Sequence, residues 1–347
     1  MSMKAKILEL LREKKDRVAA GAPESEAYVS GQELCEQFGV SRTAVWKAIG
    51  QLKKEGYVIE AVQNRGYRLL DQTEEVYNQA DIQSRLKTKW VAHPLLFFDS
   101  IDSTNIRAKL EAEQGAESGL LVVSDMQSAG RGRRGRGWES PAGINIYYTL
   151  MLKPDFSSDC APMLTLVMAL AVAKGIRQTL RRDSEEAAAK VGIKWPNDIV
   201  VDGKKVCGIL TEMSMEQGYI QHIVIGVGIN VRKQEFPEEI RDRATAIDEQ
   251  CGFRISRSQL IADIMEAFEE DYEIFLRTHD LKGLRASYAE LLVNQDREVC
   301  VLDPKGEYRG IARGINDQGE LLVERQDGTV EEVYAGEVSV RGIYGYV

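Results

Sequence analysis

Between Gly130 and Gly137 the chain alternates guanidinium groups with bare backbone: the run GRGRRGRG holds Arg131, Arg133, Arg134 and Arg136 among four glycines, and Trp138 follows at once. Guanidinium groups grip phosphate oxygens two at a time and stay charged at any physiological pH. Glycine lets backbone N–H groups come close to an anion and leaves a loop free to reshape. The chemistry on offer is the covering of a phosphate or similar anion. Gly130, Gly132 and Gly135 also fit the dinucleotide fingerprint, but that motif needs a helix directly after the turn to carry the pyrophosphate. Here Pro141 and the β-prone run INIYYTLML follow instead. A disordered arginine-glycine tail of the RNA-binding kind is the other reading. The apolar run LLVVS at 120–124 argues for a loop between two strands of a folded domain.

Four further segments carry candidate chemistry. DSTN (102–105) ends a strand and opens a helix, where Ser103 or Thr104 could serve merely as a cap. KWPND (194–198) places Lys194, a strand-stopping Pro196, Asn197 and the carboxylate of Asp198 within five residues. In GKKVCGIL (203–210), Lys205 opens a strand whose Gly208 lets a ligand approach the backbone, and GVGIN (226–230) repeats that device before adding Asn230. A lone lysine or glycine is more often structural than functional; it is their occurrence together, in this order, that points to a site.

These segments need a scaffold of strands and helices. From residue 94, LLFFDS, LLVVS, INIYYTLML, GIKW, DIVVD, KVCGILTEM and YIQHIVIGVGINV read as strands, and 103–114, 160–182 and 258–277 as helices. Several strands are consecutive, which predicts a mixed or antiparallel sheet with helices packed on it, an α+β arrangement. REVCVLD, YRGIARGI and GELLVER add short strands near the C-terminus.

The first seventy residues differ. Helical spacing recurs at Ile7, Leu8 and Leu11, at Leu34 and Phe38, and at Val45, Ile49 and Leu52; Gly39 can turn the chain and Ser41 can cap the next helix. YVIEAV and GYRLL flank QNR as a hairpin wing, with Gly66 relieving the turn. Together they predict a winged helix-turn-helix. Residues 1–70 carry twelve basic and nine acidic side chains, against 33 and 45 in the remainder. Arg42 and Thr43 lie in the first turn of the third helix and Arg65 at the wing tip, and with Gly31, Ser41, Trp46 and Lys47 they form the candidate DNA-contact set. Winged helices also serve as protein-interaction modules, and exposed basic residues are often only a solvated face.

The chain of 347 residues has a net charge of −9, so the whole is no polycation. Five scattered cysteines and three isolated histidines suggest neither a disulfide framework nor a metal site, and a cytoplasmic location fits. The charged N-terminus lacks a signal-peptide core. The longest apolar run, CAPMLTLVMALAVA at 160–173, is too short for a membrane span and reads as a buried helix. No membrane association is expected.

In this order the series S-T-N, Q-x-x-G-R-G-R, K-W-P-N-D, G-K-K-x-x-G-I-L and G-x-G-I-N resembles the biotin protein ligases. With the winged helix it looks like the bifunctional form that also represses the biotin operon. The resemblance covers essentially the whole chain and implies four parts: a DNA-binding domain at 1–70, a linker at 71–84, a catalytic domain of the biotin/lipoate ligase type at 85–293, and an SH3-like barrel at 294–347. It implies that biotin and ATP, the latter with Mg²⁺, give biotinyl-5′-adenylate, and that biotin then passes to a lysine of a carboxylase carrier domain. Carried over residue by residue, Ser103, Thr104, Asn105 and Gln127 fall at the biotin ring. Gly130, Arg131, Gly132 and Arg133 fall along its tail and the adenylate phosphate. Arg136, Trp138, Lys194, Asn197 and Asn230 fall on the nucleotide, with Trp138 on the adenine side. Lys205 is the expected catalytic cation toward carboxylate and phosphate, with Arg133 beside it. Asp198 either orients or deprotonates the incoming lysine, or is a structural partner of Lys194. The loop at 232–254 offers only Phe236 and Phe253 as stacking aromatics, and neither is assigned. An adenylate-bound homodimer on operator DNA is also implied. The rival readings are a ligand-sensing regulator without catalysis and a lipoate ligase.

Overall fold

The computed structural model describes residues 1–72, 74–302, 306–334, 339–342 and 346. The chain divides into two compact units, Met1–Leu86 and Lys87–Val347.

The first unit contains α1 (Met3–Ala19), α2 (Gly31–Phe38), α3 (Arg42–Lys54), the antiparallel pair β1 (Ile59–Val62) and β2 (Gly66–Leu69), and α4 (Gln79–Gln83). The predicted apolar stripes converge: Ile7, Leu8, Leu11, Leu34, Val45, Ile49 and Leu52 form one buried cluster with Tyr57 and Leu69. Gly39 ends α2 in the left-handed region at φ 64°, and the Ser41 hydroxyl accepts the Ala44 N–H to start α3. That is the helix-turn-helix read from the sequence. In the wing, Asn64 turns the chain at φ 62° and Gly66 follows in the positive region at φ 111°, as expected, lying so close to the Val29 carbonyl that a Cβ there would collide with it.

The stretch expected as a linker is also more structured than its polar composition implies. α4 is capped by the Asn78 side chain, and its Asp81 carboxylate holds the Arg12 and Arg85 guanidinium groups and the Tyr57 hydroxyl. A buried carboxylate is retained only where donors surround it. Those donors tie 78–86 into the first unit.

The second unit is built on a seven-stranded sheet. Its strands and helices run β3 (Leu95–Phe98), α5 (Thr104–Glu113), β4 (Leu121–Ser124), β5 (Ile146–Leu152), α6 (Met163–Arg181), α7 (Glu185–Ala189), β6 (Val191–Lys194), β7 (Asp198–Val201), β8 (Lys204–Glu216), β9 (Tyr219–Ile229), α8 (Ile247–Cys251), α9 (Arg257–Phe275) and α10 (Arg285–Leu291). Spatial order is β3-β4-β5-β9-β8-β7-β6, with β3 and β4 parallel and all other pairs antiparallel, so the sheet is mixed as expected. Alternation of side chains divides the two faces. Val122, Met151 and Val224 pack beneath Ala108 and Ala112 of α5. The opposite face carries Tyr148, whose hydroxyl meets Met168 of α6. α6 is long and apolar enough to cross a membrane, but most of it is buried within the protein. It packs against α9, where Thr179 and Arg182 both bond Asp263.

A second, antiparallel sheet follows: β10 (Glu298–Leu302), β11 (Tyr308–Ile315), β12 (Leu321–Glu324), β13 (Val330–Val333) and β14 (Ser339–Gly342), ordered β13-β12-β11-β10-β14. Trp195, fully buried, joins it to the large sheet by donating its indole N–H to the Gly319 carbonyl at 2.9 Å.

Candidate functional site

Thr149, Gly226 and Gly228 share the α5 face of the sheet, and Gly208 pairs across from Gly228. The three glycines leave a gap in the side-chain layer here, and a cavity of about 310 Å³ opens over it. Most of the predicted residues meet there: Ser103, Thr104, Asn105, Gln127, Arg131, Gly132, Arg133, Arg136, Trp138, Asn197, Asp198, Lys205 and Asn230 all line it. Gly130 and Lys194, expected among them, do not. Gly130 is the closing pair of the arginine hairpin, its carbonyl accepting the Trp138 N–H at 2.9 Å. The Lys194 ammonium lies over the Tyr346 ring, 3.3 Å from its centroid.

The arginine loop is folded back on itself. Arg131 pairs with Gly137, Gly132 N–H bonds the Arg136 carbonyl at 2.8 Å, and Arg134 and Gly135 turn the chain at φ 58° and 72°. Arg133 reaches Asn197 at 2.7 Å, and burial pulls its guanidinium pKa down against the pull of Asp198. Trp138 rests against the glycine floor. A Cβ on Gly228 would come within 2.5 Å of its ring, and one on Gly208 within 2.9 Å. The indole N–H is buried with no hydrogen-bond partner. An unpaired buried donor is costly, and a ligand acceptor would relieve it.

At the ring end, Ser103 is at the N-cap position of α5, 1% exposed, yet its hydroxyl does not cap the helix. Simple capping therefore does not explain it. Thr104 donates its N–H to Gln127 Oε1 at 2.9 Å, and Gln127 Nε2 donates to Ser140 Oγ at 3.0 Å. Asn105 lies over Gly226, where any Cβ would strike its amide.

At the other end, the Lys205 ammonium sits 2.6 Å from Asp198 Oδ1. The tight turn Trp195–Asn197 between β6 and β7 delivers Asp198, and the start of β8 delivers Lys205. Burial alone would raise the Asp198 carboxyl; the charge and hydrogen bond of Lys205, the Tyr346 hydroxyl and the charge of Lys194 hold it below its ordinary value. Lys205 is thus its ion-pair partner at 2.6 Å, and Lys194 adds a favourable charge. The segment after β9 wraps back over this end: Lys205 N–H bonds the Arg243 carbonyl, and Ile240, Arg243 and Ala244 line the cavity. Phe236 and Phe253 do not. Thr149, Ser140, Glu212 and Tyr346 were not read from the sequence, because each enters through a long-range pairing. Glu212 alone had a signal, since it shares strand parity with Gly208.

In the first unit, Gly31, Arg42 and Arg65 line a groove of about 450 Å³ between α2, α3 and the wing. Ser41 is taken up in capping, and Trp46 is 68% exposed on α3. Arg65 and Arg68 both stack toward Tyr28.

No group of three or more His, Cys, Asp or Glu side chains able to hold a metal occurs among the described residues.

A winged helix-turn-helix in one unit and a glycine-floored, arginine-covered site on a mixed sheet in the other define a two-part protein of the ligase/repressor class. Three family models match it: the Biotin/lipoate A/B protein ligase family at 97–230, an HTH domain at 24–68, and the Biotin protein ligase C terminal domain at 296–341. The bifunctional ligase/repressor BirA of Bacillus spizizenii is 38% identical over 331 residues, 94% of this chain and 98% of that one. The Escherichia coli protein of the same name is 32% identical over 90% of this chain and 92% of its own. A biotin protein ligase of Aquifex aeolicus, solved with biotin and ATP, is 29% identical with a TM-score of 0.60, covering 72% of this chain and 98% of that one. The chain belongs to the bifunctional ligase/repressor family of biotin protein ligases.

Proposed function

We propose that this protein activates biotin with ATP, transfers it to a lysine of a carboxylase carrier domain, and represses transcription through its winged helix. The observation that carries the reading is the convergence of Lys205, Arg133 and the folded arginine loop on a cavity whose other end presents Ser103, Thr104, Asn105 and Gln127. One end suits a polar bicyclic urea, the other a phosphate.

In the first step a biotin carboxylate oxygen attacks the α-phosphorus, the bond to the β-phosphate oxygen breaks, and pyrophosphate leaves. Two anions must meet, so cations placed in advance lower the barrier. Lys205 and Arg133 supply that charge from partly buried positions, where it is weakly screened. In the second step the lysine amine attacks the anhydride carbonyl and AMP leaves. The amine must first lose a proton. Asp198 orients Lys205 in the resting site; once Lys205 turns to phosphate, the carboxylate loses the strongest of the partners that favour its charge, keeping only the Tyr346 hydroxyl and the Lys194 charge against its burial, so its proton affinity rises and it accepts the amine proton. Trp138, Asn197 and Asn230 serve the nucleotide, and Mg²⁺ enters with the triphosphate, as part of the substrate. Ordering of the arginine loop over the adenylate favours a homodimer that binds two operator half-sites. Five unpaired cysteines suit a reducing cytoplasm.

The test is incubation with ATP, biotin and a carrier domain. A covalent mass gain on the carrier supports the reading. Its absence, with biotin-dependent operator binding retained, favours a non-catalytic regulator, and preferential attachment of lipoate favours the lipoate ligase. Gel shift on a biotin-operon promoter with and without adenylate tests repression.

A further inference from the structure

Glu212 stands on β8 outside the cavity wall, yet it bonds into it. Its Oε2 accepts the Asn105 Nδ2–H at 2.7 Å, and its Oε1 pairs with Lys109 of α5 at 2.8 Å. From Asn105 the chain of bonds continues. The Thr149 hydroxyl lies 2.6 Å from Asn105 Oδ1 and 2.9 Å from the Thr104 hydroxyl, which is itself 3.0 Å from Gln127 Oε1. Gly226 leaves room for the Asn105 amide to lie on the sheet in this way.

An amide or hydroxyl ladder can run in either direction; a carboxylate cannot, because it only accepts. Resting on the biotin-ligase reading above, we infer that Glu212 is a positioning residue that sets the donor and acceptor polarity of the ladder reading the biotin urea. Asn105 must turn its nitrogen to Glu212 and its oxygen to Thr149. Thr149 then gives its single proton to Asn105 Oδ1 and can only accept at Thr104, whose proton is thereby withdrawn from Gln127 Oε1; that oxygen is held by the Thr104 N–H instead. Gln127 Oε1 keeps a lone pair for a ring N–H, while its Nε2 is held by Ser140. Burial would raise the Glu212 carboxyl, but the bonds from Asn105 and Lys109 and the charges of Lys109 and Arg131 hold it below its ordinary value. It is an anion at neutral pH.

The experiment compares biotin with its cyclic guanidine analogue 2-iminobiotin, which presents a donor where the urea presents a carbonyl acceptor. Pyrophosphate release by the full chain gives KM for both. Glu212→Gln keeps the shape and removes the fixed polarity; the preference for biotin is expected to narrow about tenfold or more through KM, with kcat changing less. An unchanged ratio overturns the inference. If Glu212→Gln fails to fold, Thr149→Val, which cuts the ladder at its middle, is read by the same criterion. A wild-type protein that adenylates neither compound overturns the ligase reading instead, so the two failures are distinguishable.

Discussion

The ammonium of Lys205 lies 2.6 Å from the Asp198 carboxylate at the junction of two adjacent strands, β7 and β8, in the wall of the cavity. Lys205→Ala is expected to cut adenylate formation by roughly 10²–10³, the loss typical of one preorganised charge at a reacting centre. The same substitution removes the strongest of the partners that depress the Asp198 pKa. In the wild type the ion pair stabilises the fold fully above the ordinary carboxylate range and is lost as pH falls through the depressed value. Urea midpoints between pH 7 and pH 3 check this: the acid limb should flatten in Lys205→Ala, and coincident limbs would contradict it.

Arg133 holds the arginine loop down through its 2.7 Å bond to Asn197. Arg133→Gly is expected to speed release of the adenylate about tenfold, one charge-assisted bond, while slowing its formation less. Stopped-flow release from the preformed complex measures it; an unchanged off-rate counts against a closing role for the loop.

Gly228 has no room for a methyl group beneath Trp138. Gly228→Ala should push the indole off the floor, weaken nucleotide binding and cost about 1–3 kcal/mol of stability by overpacking. Titration with ATP and thermal melting of the variant give both numbers. Wild-type ATP affinity in this variant would show that the indole does not serve the nucleotide.

On the DNA face, Arg42 and Trp46 stand one helical turn apart on α3. Arg42→Ala should weaken operator binding and reduce the salt slope by about one phosphate contact, whereas Trp46→Ala should weaken binding with the slope intact. Binding isotherms at three salt concentrations separate the two. Should neither variant bind more weakly, α3 is not the reading helix.

His222 is 3% exposed on β9, and its Nε2 has no hydrogen-bond partner. Burial, with Lys109 and Lys153 assisting and Glu113 opposing, pulls its pKa below the ordinary imidazole value. The unfolded chain therefore takes up the proton first, and stability falls as pH drops through the ordinary range. His222→Gln should lose less stability than the wild type between pH 7.5 and pH 5.5, as followed by urea midpoints; parallel losses would remove His222 as the cause.

The helix-turn-helix was legible because its signals are local. Gly39 and Ser41 each act on backbone groups within four residues, and Leu34, Val45 and Ile49 follow helical spacing. The seven strands of the large sheet were legible as apolar runs between turn residues. What orders α4 was not: its polar stretch is held by Arg12 and Tyr57, which precede Asp81 by 69 and 24 residues. Lys194 was grouped with the nucleotide residues by resemblance; its ammonium lies over the Tyr346 ring, a contact that no local signal encodes.

Read alone, the residues establish which chemistries are present: guanidinium groups on a glycine backbone, a lysine opening a strand, hydroxyls and amides at a helix start. Chemical type and short-range spacing are properties of the chain itself. Which carboxylate each cation holds, which amides join into one ladder, and what Trp138 rests on are settled by strand register and helix docking. Those bring together groups such as Asn105 and Glu212, separated by 107 residues, and no local preference encodes such a meeting.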